Sequence, residues 1–353
     1  MRILLLTPWL RPLARIHAEN LQSLGAEVMM VTSNLHFESD QARPYETVLL
    51  GRPIPWSDWL PFIEAYRAAE RFQPDVVVTE MFRDPRWRLL AGLAPRIRML
   101  HDDKPHDDTH VLPWWNRLFF DRWDEKADAT IVFSEYVAES LRAQGRADAP
   151  LYVAPLISDL APAMMPGFVP AEERKNFLLI GRQQPYKNHD VVFAAWDAHT
   201  RGPAWQGDEL VLLGGGDLTC PLPKHVRWQQ SEFQYREVIE ELARAKGSIS
   251  HYRTASQSGV QVLAMQLGVP TLASDAGALP EYQPYGASVT GIDDVEALSQ
   301  AMDALANPEE AVLQGKLAQE HYRNHYDSPV AAKRLLEIFE DVAANEPVAQ
   351  KVR

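Results

Sequence analysis

Arg182 and Lys187 stand five apart in Ile180-Gly181-Arg182-Gln183-Gln184-Pro185-Tyr186-Lys187-Asn188, after an apolar run and before a helical pattern. A guanidinium, an ammonium and the free N–H groups of a helix start, aimed at one place, are what a pyrophosphate needs. A solvated turn would carry the same residues. Leu212-Leu213-Gly214-Gly215-Gly216-Asp217 puts three glycines after a second apolar run. Glycine lets a backbone approach a ligand closely, although the pattern is not G-x-G-x-x-G and a plain tight turn reads the same way. In Ser256-Gln257-Ser258-Gly259, small polar residues open a helix that Gly268 closes, and its free N–H groups suit a phosphate or carboxylate. His101-Asp102-Asp103-Lys104-Pro105-His106-Asp107-Asp108-Thr109-His110 follows another apolar run. Its histidines and aspartates invite a metal reading, but no helical frame holds them on one face. A solvated acidic loop is the first account of them and a catalytic segment the second, and no metal ligand is assigned.

Two further segments are less specific. Leu112 to Trp123 interleaves Trp114, Trp115, Phe119, Phe120 and Trp123 with Arg117 and Arg122. Such a stripe docks on a membrane surface, lines an acceptor groove or packs a core. Arg11 and Arg15 lie in a loop expected after the first strand, where they are candidates for phosphate or acceptor contact and by default solvated or salt-bridged.

The elements that must position these residues follow from the apolar runs. Ile3–Leu6, Val28–Thr32, Asp75–Thr79, Arg96–Leu100, Thr130–Phe133 and Leu151–Ala154 are nearly continuous, as strands covered on both faces of a parallel sheet are. Amphipathic stretches such as Asp58–Arg71 and Glu135–Ala143 lie between them, which makes βαβ units. Ser158 to Glu173 is proline-rich and aperiodic, a linker. Alternation restarts with Phe177–Ile180, Leu210–Leu213, Val226–Trp228, Ser248–His251 and Thr271–Ser274, followed by helices over Val295–Leu305, Pro308–Tyr326 and Pro329–Ala344. The expected fold is α/β, with two Rossmann-like domains whose parallel sheets face each other across a cleft. The boundaries are 1–157, a linker at 158–173, and 174–328, with 329–353 packing back towards the first domain.

The chain has 353 residues, enough for two domains that each bury a core. One cysteine, Cys220, excludes a disulfide framework and fits a reducing compartment. No run is long and apolar enough for a signal segment or a spanning helix, so a cytoplasmic protein is expected, with peripheral contact at the inner membrane face through Trp114–Trp123 as an option. The net charge of −13 argues against a nucleic-acid partner. Residues 1–155 carry −4 of it and the remainder −9, so an anionic ligand of the second half must be held by a few placed cations.

These segments, in this order, resemble the carboxyl-terminal domain of GT-B glycosyltransferases, specifically the glycogen-synthase-like family 4. Its G-R-x-x-x-x-K, which grips the donor diphosphate, is matched by Gly181, Arg182 and Lys187. Its later run, E-A-M-A-x-G-x-P with G-x-x-P-E, is matched by Ala264, Met265, Gly268, Pro270, Gly277, Pro280 and Glu281. The first half is similar through Leu24-Gly25-Ala26-Glu27-Val28 and Phe133-Ser134-Glu135. The resemblance departs at two glutamates eight positions apart, whose places hold Ala255 and Leu263. A carboxylate accepts sugar or ribose hydroxyls, and neither replacement can.

The resemblance implies transfer of a sugar from a nucleotide-diphosphate sugar to a hydroxyl acceptor, with no metal or other cofactor. The acceptor would be a sugar, a lipid-linked molecule or a small molecule. The donor-binding set is Gly181, Arg182, Lys187, Gly215, Gln230, Ser256, Ser258, Gly259 and Glu281. His101 takes the place of a histidine that faces the donor sugar, and Asp102 or Asp103 would accept the acceptor's proton in an inverting reaction. The lost glutamates keep a non-catalytic sugar-nucleotide-binding subunit open as an alternative, and a nucleotide-sugar epimerase shares the fold.

Overall fold

The computed structural model describes residues 1–36, 40–50, 59–81, 86–102, 126–146, 149–230 and 234–345. The chain divides into two compact units, Met1–Pro155 with Ser328–Arg353, and Leu156–Asp327.

The first unit holds a seven-stranded sheet of β1 (Arg2–Thr7), β2 (Glu27–Ser33), β3 (Glu46–Leu49), β4 (Val76–Glu80), β5 (Arg96–Leu100), β6 (Ala129–Val132) and β7 (Leu151–Val153). Their order is β3-β2-β1-β4-β5-β6-β7, and every pairing is parallel. Ile3, Leu4 and Leu6 of β1 and Val76 and Val77 of β4 are wholly buried because helices cover both faces. The strand order reverses between β1 and β4, and ligands of open α/β sheets bind at the carboxyl ends beside that reversal. Thr7 and Glu80 end those two strands.

Helices of this unit are α1 (Arg11–Ser23), α2 (Trp59–Phe72), α3 (Trp87–Ala91), α4 (Glu135–Ala143) and, from the far end of the chain, α10 (Ser328–Ala344). Ser134 caps α4 by accepting the Val137 N–H. Helix α10 packs on α1 and reaches β7, where Arg334 Nε donates to the Val153 carbonyl at 3.3 Å.

Two sequence expectations need correction here. The stretch Trp9–Arg15 is not a loop beyond Leu10, because α1 begins at Arg11, with Pro12 in the first turn where its missing N–H costs nothing. The edge strand β3, which carries no long apolar run, was not foreseen. Its first residue explains both features: the buried Glu46 carboxylate accepts from Arg11 Nη2 at 2.7 Å and from Arg15 Nη2 at 2.9 Å. Those arginines sit one helical turn apart and tie α1 to the sheet edge. Their hydrogen bonds hold the Glu46 carboxyl down at about 2, against the opposing push of burial.

The second unit holds a six-stranded parallel sheet of β8 (Phe177–Ile180), β9 (Leu210–Leu213), β10 (Val226–Gln229), β11 (Gly247–Ser250), β12 (Thr271–Ser274) and the two-residue β13 (Val289–Thr290). The order is β10-β9-β8-β11-β12-β13, so here the reversal lies between β8 and β11. The helices are α5 (His189–Arg201), α6 (Tyr235–Ala243), α7 (Gly259–Gln266), α8 (Val295–Ala306) and α9 (Pro308–His325). The proline-rich segment lies on this unit, with Leu160 and Val169 in its core. Buried Arg174 anchors it by donating to the carbonyls of Val169, Ala245 and Gly268 at 3.2, 2.9 and 2.9 Å. Among the described residues no helix is long and apolar enough to cross a membrane.

Candidate functional site

Both turns that follow β8 and β9 are built from backbone. The Gly181 N–H donates to the Leu213 carbonyl at 2.9 Å, and the Gln183 N–H to Gly215 at 2.8 Å. The Asp217 N–H returns to Gln183 at 2.9 Å. Gly214 and Gly216 have φ of +124° and +131°, and a Cβ there would lie 2.5 Å from the Gly181 oxygen and 2.0 Å from the Gln183 oxygen. The glycine run therefore admits a second stretch of backbone. Gly215, between them, faces the Gln230 carbonyl, which would lie 3.3 Å from its Cβ. The Gln230 side chain belongs to an exposed residue, and 231–233 lie outside the described residues.

The zipped turns hold Arg182 and Lys187 in opposite environments. Arg182 is exposed, and no ion pair or hydrogen bond engages its guanidinium among the described residues. Lys187 is 1% exposed. Its Nζ donates to the Ile180 carbonyl at 2.7 Å and to the Tyr252 Oη at 3.2 Å, and it lies 4.5 Å from the centre of the Tyr252 ring. A Cβ on Gly181 would come within 3.5 Å of that ammonium and 3.8 Å of Val260 in the first turn of α7. Gly181, Lys187 and the start of α7 thus meet at the reversal between β8 and β11.

Tyr252 is a member of this cluster that sequence reasoning missed. It follows β11 and is pinned by Ser274, whose Oγ accepts from the Tyr252 N–H at 3.0 Å and donates to its carbonyl at 2.7 Å. Burial pushes the phenol's pKa up, but the Lys187 ammonium and hydrogen bonds with Ser258, Ser250 and Lys187 outweigh it and leave the pKa below the ordinary tyrosine value. Ser258 also caps α7, accepting the Gln261 N–H at 3.2 Å. Ser256 is buried beside it, while Gly259 is exposed and a Cβ there would meet nothing within 4 Å.

Behind the loop, Asn188 adopts the left-handed conformation (φ +57°) and donates to the Ile292 carbonyl at 2.7 Å. His189 Nε2 donates to Gln183 Oε1 at 3.0 Å.

Ala255 and Leu263, where the sequence departs from the resemblance, are both buried, and Ala255 packs in a cluster with Tyr252. Leu263 lies in the hydrophobic core with Ile180, Leu178 and Leu213. The Ala255 carbonyl accepts the Ala278 N–H at 3.0 Å, and a Cβ on Gly277 (φ +54°) would lie 1.9 Å from that oxygen. The turn after β12 is therefore interlocked with the segment ahead of α7. Glu281, exposed on that turn, accepts the Tyr326 Oη on its carbonyl at 3.2 Å.

In the first unit, His101 follows β5 and its ring packs on Phe133 at 4.7 Å. Its Nε2 donates to Glu80 Oε1 at 2.6 Å, and Thr7 Oγ1 donates to Glu80 Oε2 at 2.9 Å. Burial pushes the Glu80 carboxyl up, and its bonds with His101 outweigh that and bring it below the usual range. Glu80 was not singled out from the sequence, although a carboxylate ending the buried run Val-Val-Val-Thr-Glu is a legible signal. Asp102 is half-buried, with Oδ1 shielded from solvent. Asp103 and the stripe Trp114–Trp123 lie outside the described residues, as do the histidines at 106 and 110. Among the described residues no group of three or more His, Cys, Asp or Glu side chains could hold a metal ion.

Two buried histidines give the fold a pH dependence. Burial lowers His17 and His189 from 6.5 to about 4. The unfolded chain therefore takes up protons below 6.5 that the folded chain refuses until about pH 4. Stability is full above 6.5 and falls between 6.5 and 4, by roughly 3 kcal/mol for each group. Urea midpoints measured from pH 7.5 to 4 should fall in that window, with a shallower fall in His17→Leu. A flat profile down to pH 4.5 would contradict the burial of both rings.

Comparison with known proteins places these two units. Residues 14–161 match the family model described as Glycosyltransferase Family 4, and residues 174–307 match that of Glycosyl transferases group 1. No curated protein matches the chain in sequence. Among solved structures, sucrose-phosphate synthase from Thermosynechococcus elongatus superposes with a TM-score of 0.70 at 17% identity, covering 98% of this chain and 100% of that one. Anabaena HepE, solved with UDP and glucose, gives 0.66 at 14% identity, covering 97% and 100%. The α,α-trehalose 6-phosphate synthase of Burkholderia multivorans gives 0.65 at 12%, covering 99% and 98%. With one family match on each unit and two parallel sheets of this order, the chain belongs to the GT-B glycosyltransferases of the family 4 type.

Proposed function

We propose that the protein moves a sugar from a nucleotide-diphosphate sugar to a hydroxyl acceptor without a metal, with the donor diphosphate held where β8 and β11 diverge. The observation that carries this reading is the pairing of an exposed, unengaged Arg182 with the Lys187 ammonium beside the capped start of α7. When the glycosidic bond breaks, negative charge grows on the leaving diphosphate. A guanidinium can take two of its oxygens side by side, and the ammonium adds a point charge from below. The N–H groups at Ser258 and Gly259 point the positive end of α7 at the same anion. Gly181 gives the diphosphate access to Lys187, since a side chain there would cover Nζ. Gly215 and Gln230 lie together on the side of β9 and β10, where the base would sit, and Ser256 and Glu281 flank the α7 end towards the sugar. His101, with Asp102 or Asp103, would serve the sugar and acceptor from the first unit.

A thermal-shift series with nucleoside diphosphates and their sugars tests this, because a ligand at 100 times its Kd stabilises by about 2.7 kcal/mol. One base is expected to stabilise wild type and to lose its effect in the Arg182→Ala, Lys187→Ala double variant. No stabilisation by any diphosphate would overturn the reading. The replacement of both family glutamates by Ala255 and Leu263 favours a second reading, donor binding without turnover, and product analysis with a bound donor separates the two.

A further inference from the structure

We infer that Glu80 is a positioning residue for His101, holding a proton on its Nε2 and so fixing how the imidazole is presented to the sugar. The inference rests on the reading of His101 as facing the sugar.

The geometry that supports it lies wholly in the first unit, at the reversal between β1 and β4. An ionised carboxylate offers only acceptor sites. One Glu80 oxygen is taken by the Thr7 hydroxyl at 2.9 Å and the other by His101 Nε2 at 2.6 Å, so Nε2 must carry a proton. The ring is further fixed by its packing on Phe133.

The surroundings say what Glu80 is for. Its side chain is 5% exposed, and a small cavity of about 20 Å³ beside it is lined from β1, β4, β5, α1 and α10. Those elements contribute Leu5, Leu6, Val78, Met99, Leu335 and Phe339, and the other titratable group among them is His17. Burial keeps His17 neutral above about pH 4, so it brings no charge to Glu80 at neutral pH. Among the described residues no lysine or arginine lines the cavity. A carboxylate this deep is costly unless it is bonded, and the bonds found for it are those from Thr7 and His101. A core position would be more stable with an apolar residue. A buried acid devoted to one imidazole at a ligand-binding edge fits the control of that ring's proton.

The test combines a spectrum with kinetics. In 15N-labelled wild-type protein at neutral pH, long-range 1H–15N correlations of His101 should give the Nε2–H pattern, assigned with His101→Gln. The Nδ1–H pattern in wild type would overturn the inference, whether or not any Glu80 variant folds. In Glu80→Gln, whose amide can also donate, the spectrum should change towards mixed tautomers. Transfer should fall about 10- to 100-fold in kcat with the donor KM little changed, and Glu80→Asp should recover part of the rate. A Glu80→Gln protein with wild-type tautomer and wild-type kcat would equally overturn it. Should wild type transfer no sugar at all, the proposed function fails, and the tautomer pattern still decides the role of Glu80.

Discussion

Arg182→Ala is expected to lower kcat/KM for sugar transfer by roughly 100- to 1,000-fold, the usual effect of removing one donor to a developing anion. Its melting temperature should match wild type, because among the described residues no hydrogen bond or ion pair engages the exposed guanidinium. Lys187→Met provides the contrast. Methionine nearly fills the volume of the buried ammonium stem but takes its donor from the Ile180 carbonyl and one of several partners from the Tyr252 hydroxyl. A buried carbonyl stripped of its donor costs about 1–3 kcal/mol, so this variant should lose stability as well as activity. Steady-state kinetics beside thermal melts separate the two. Wild-type kcat/KM in Arg182→Ala would remove the diphosphate from this loop.

Gly216→Ala is expected to destabilise the second unit by roughly 3–5 kcal/mol, near the upper end of single-residue effects. The added Cβ would sit 2.0 Å from the Gln183 oxygen, at a φ of +131° that alanine disfavours. Relief requires opening the backbone pairing between residues 181–183 and 213–217, which also carries Arg182. Gly207→Ala isolates the strain term, since Gly207 has φ of +90° with nothing within 4 Å of its Cβ. That variant should lose only about 1 kcal/mol. Urea unfolding followed by tryptophan fluorescence reports both. Equal small losses in the two variants would mean that the turns are not zipped as described.

Much of the architecture was legible before any coordinates. Continuous apolar runs mark strands covered on both faces, and β1, β8, β9 and β12 fall where those runs lie because burial on two sides tolerates nothing else. Glu135–Ala143 was legible to the residue, since Ser134 ahead of Glu135 is a cap signal. The edge strands were harder. β3 starts on a charged residue and β13 has two residues, so neither carries a pattern long enough to read. The start of α1 was lost because nothing local places Arg11 and Arg15 on a helix, and Glu46, which pairs with both, lies 35 and 31 positions away.

The same division runs through the candidate site. Arginine, lysine, glycine and serine at telling spacings located the loop after β8 and the start of α7, because spacing along one turn is a local property. Which cation is open and which is buried is not local. Lys187 is enclosed by a tyrosine 65 positions later, and Glu80 reaches a histidine 21 positions later across neighbouring strands. The chain by itself determined the two parallel sheets, the family and the residues able to meet an anion. Only the tertiary structure decided that the glycine run receives backbone, that Leu263 belongs to the core, that Tyr252 meets Lys187 and that Glu80 meets His101. Burial and pairing are made by residues far apart in sequence, and a local pattern does not record them.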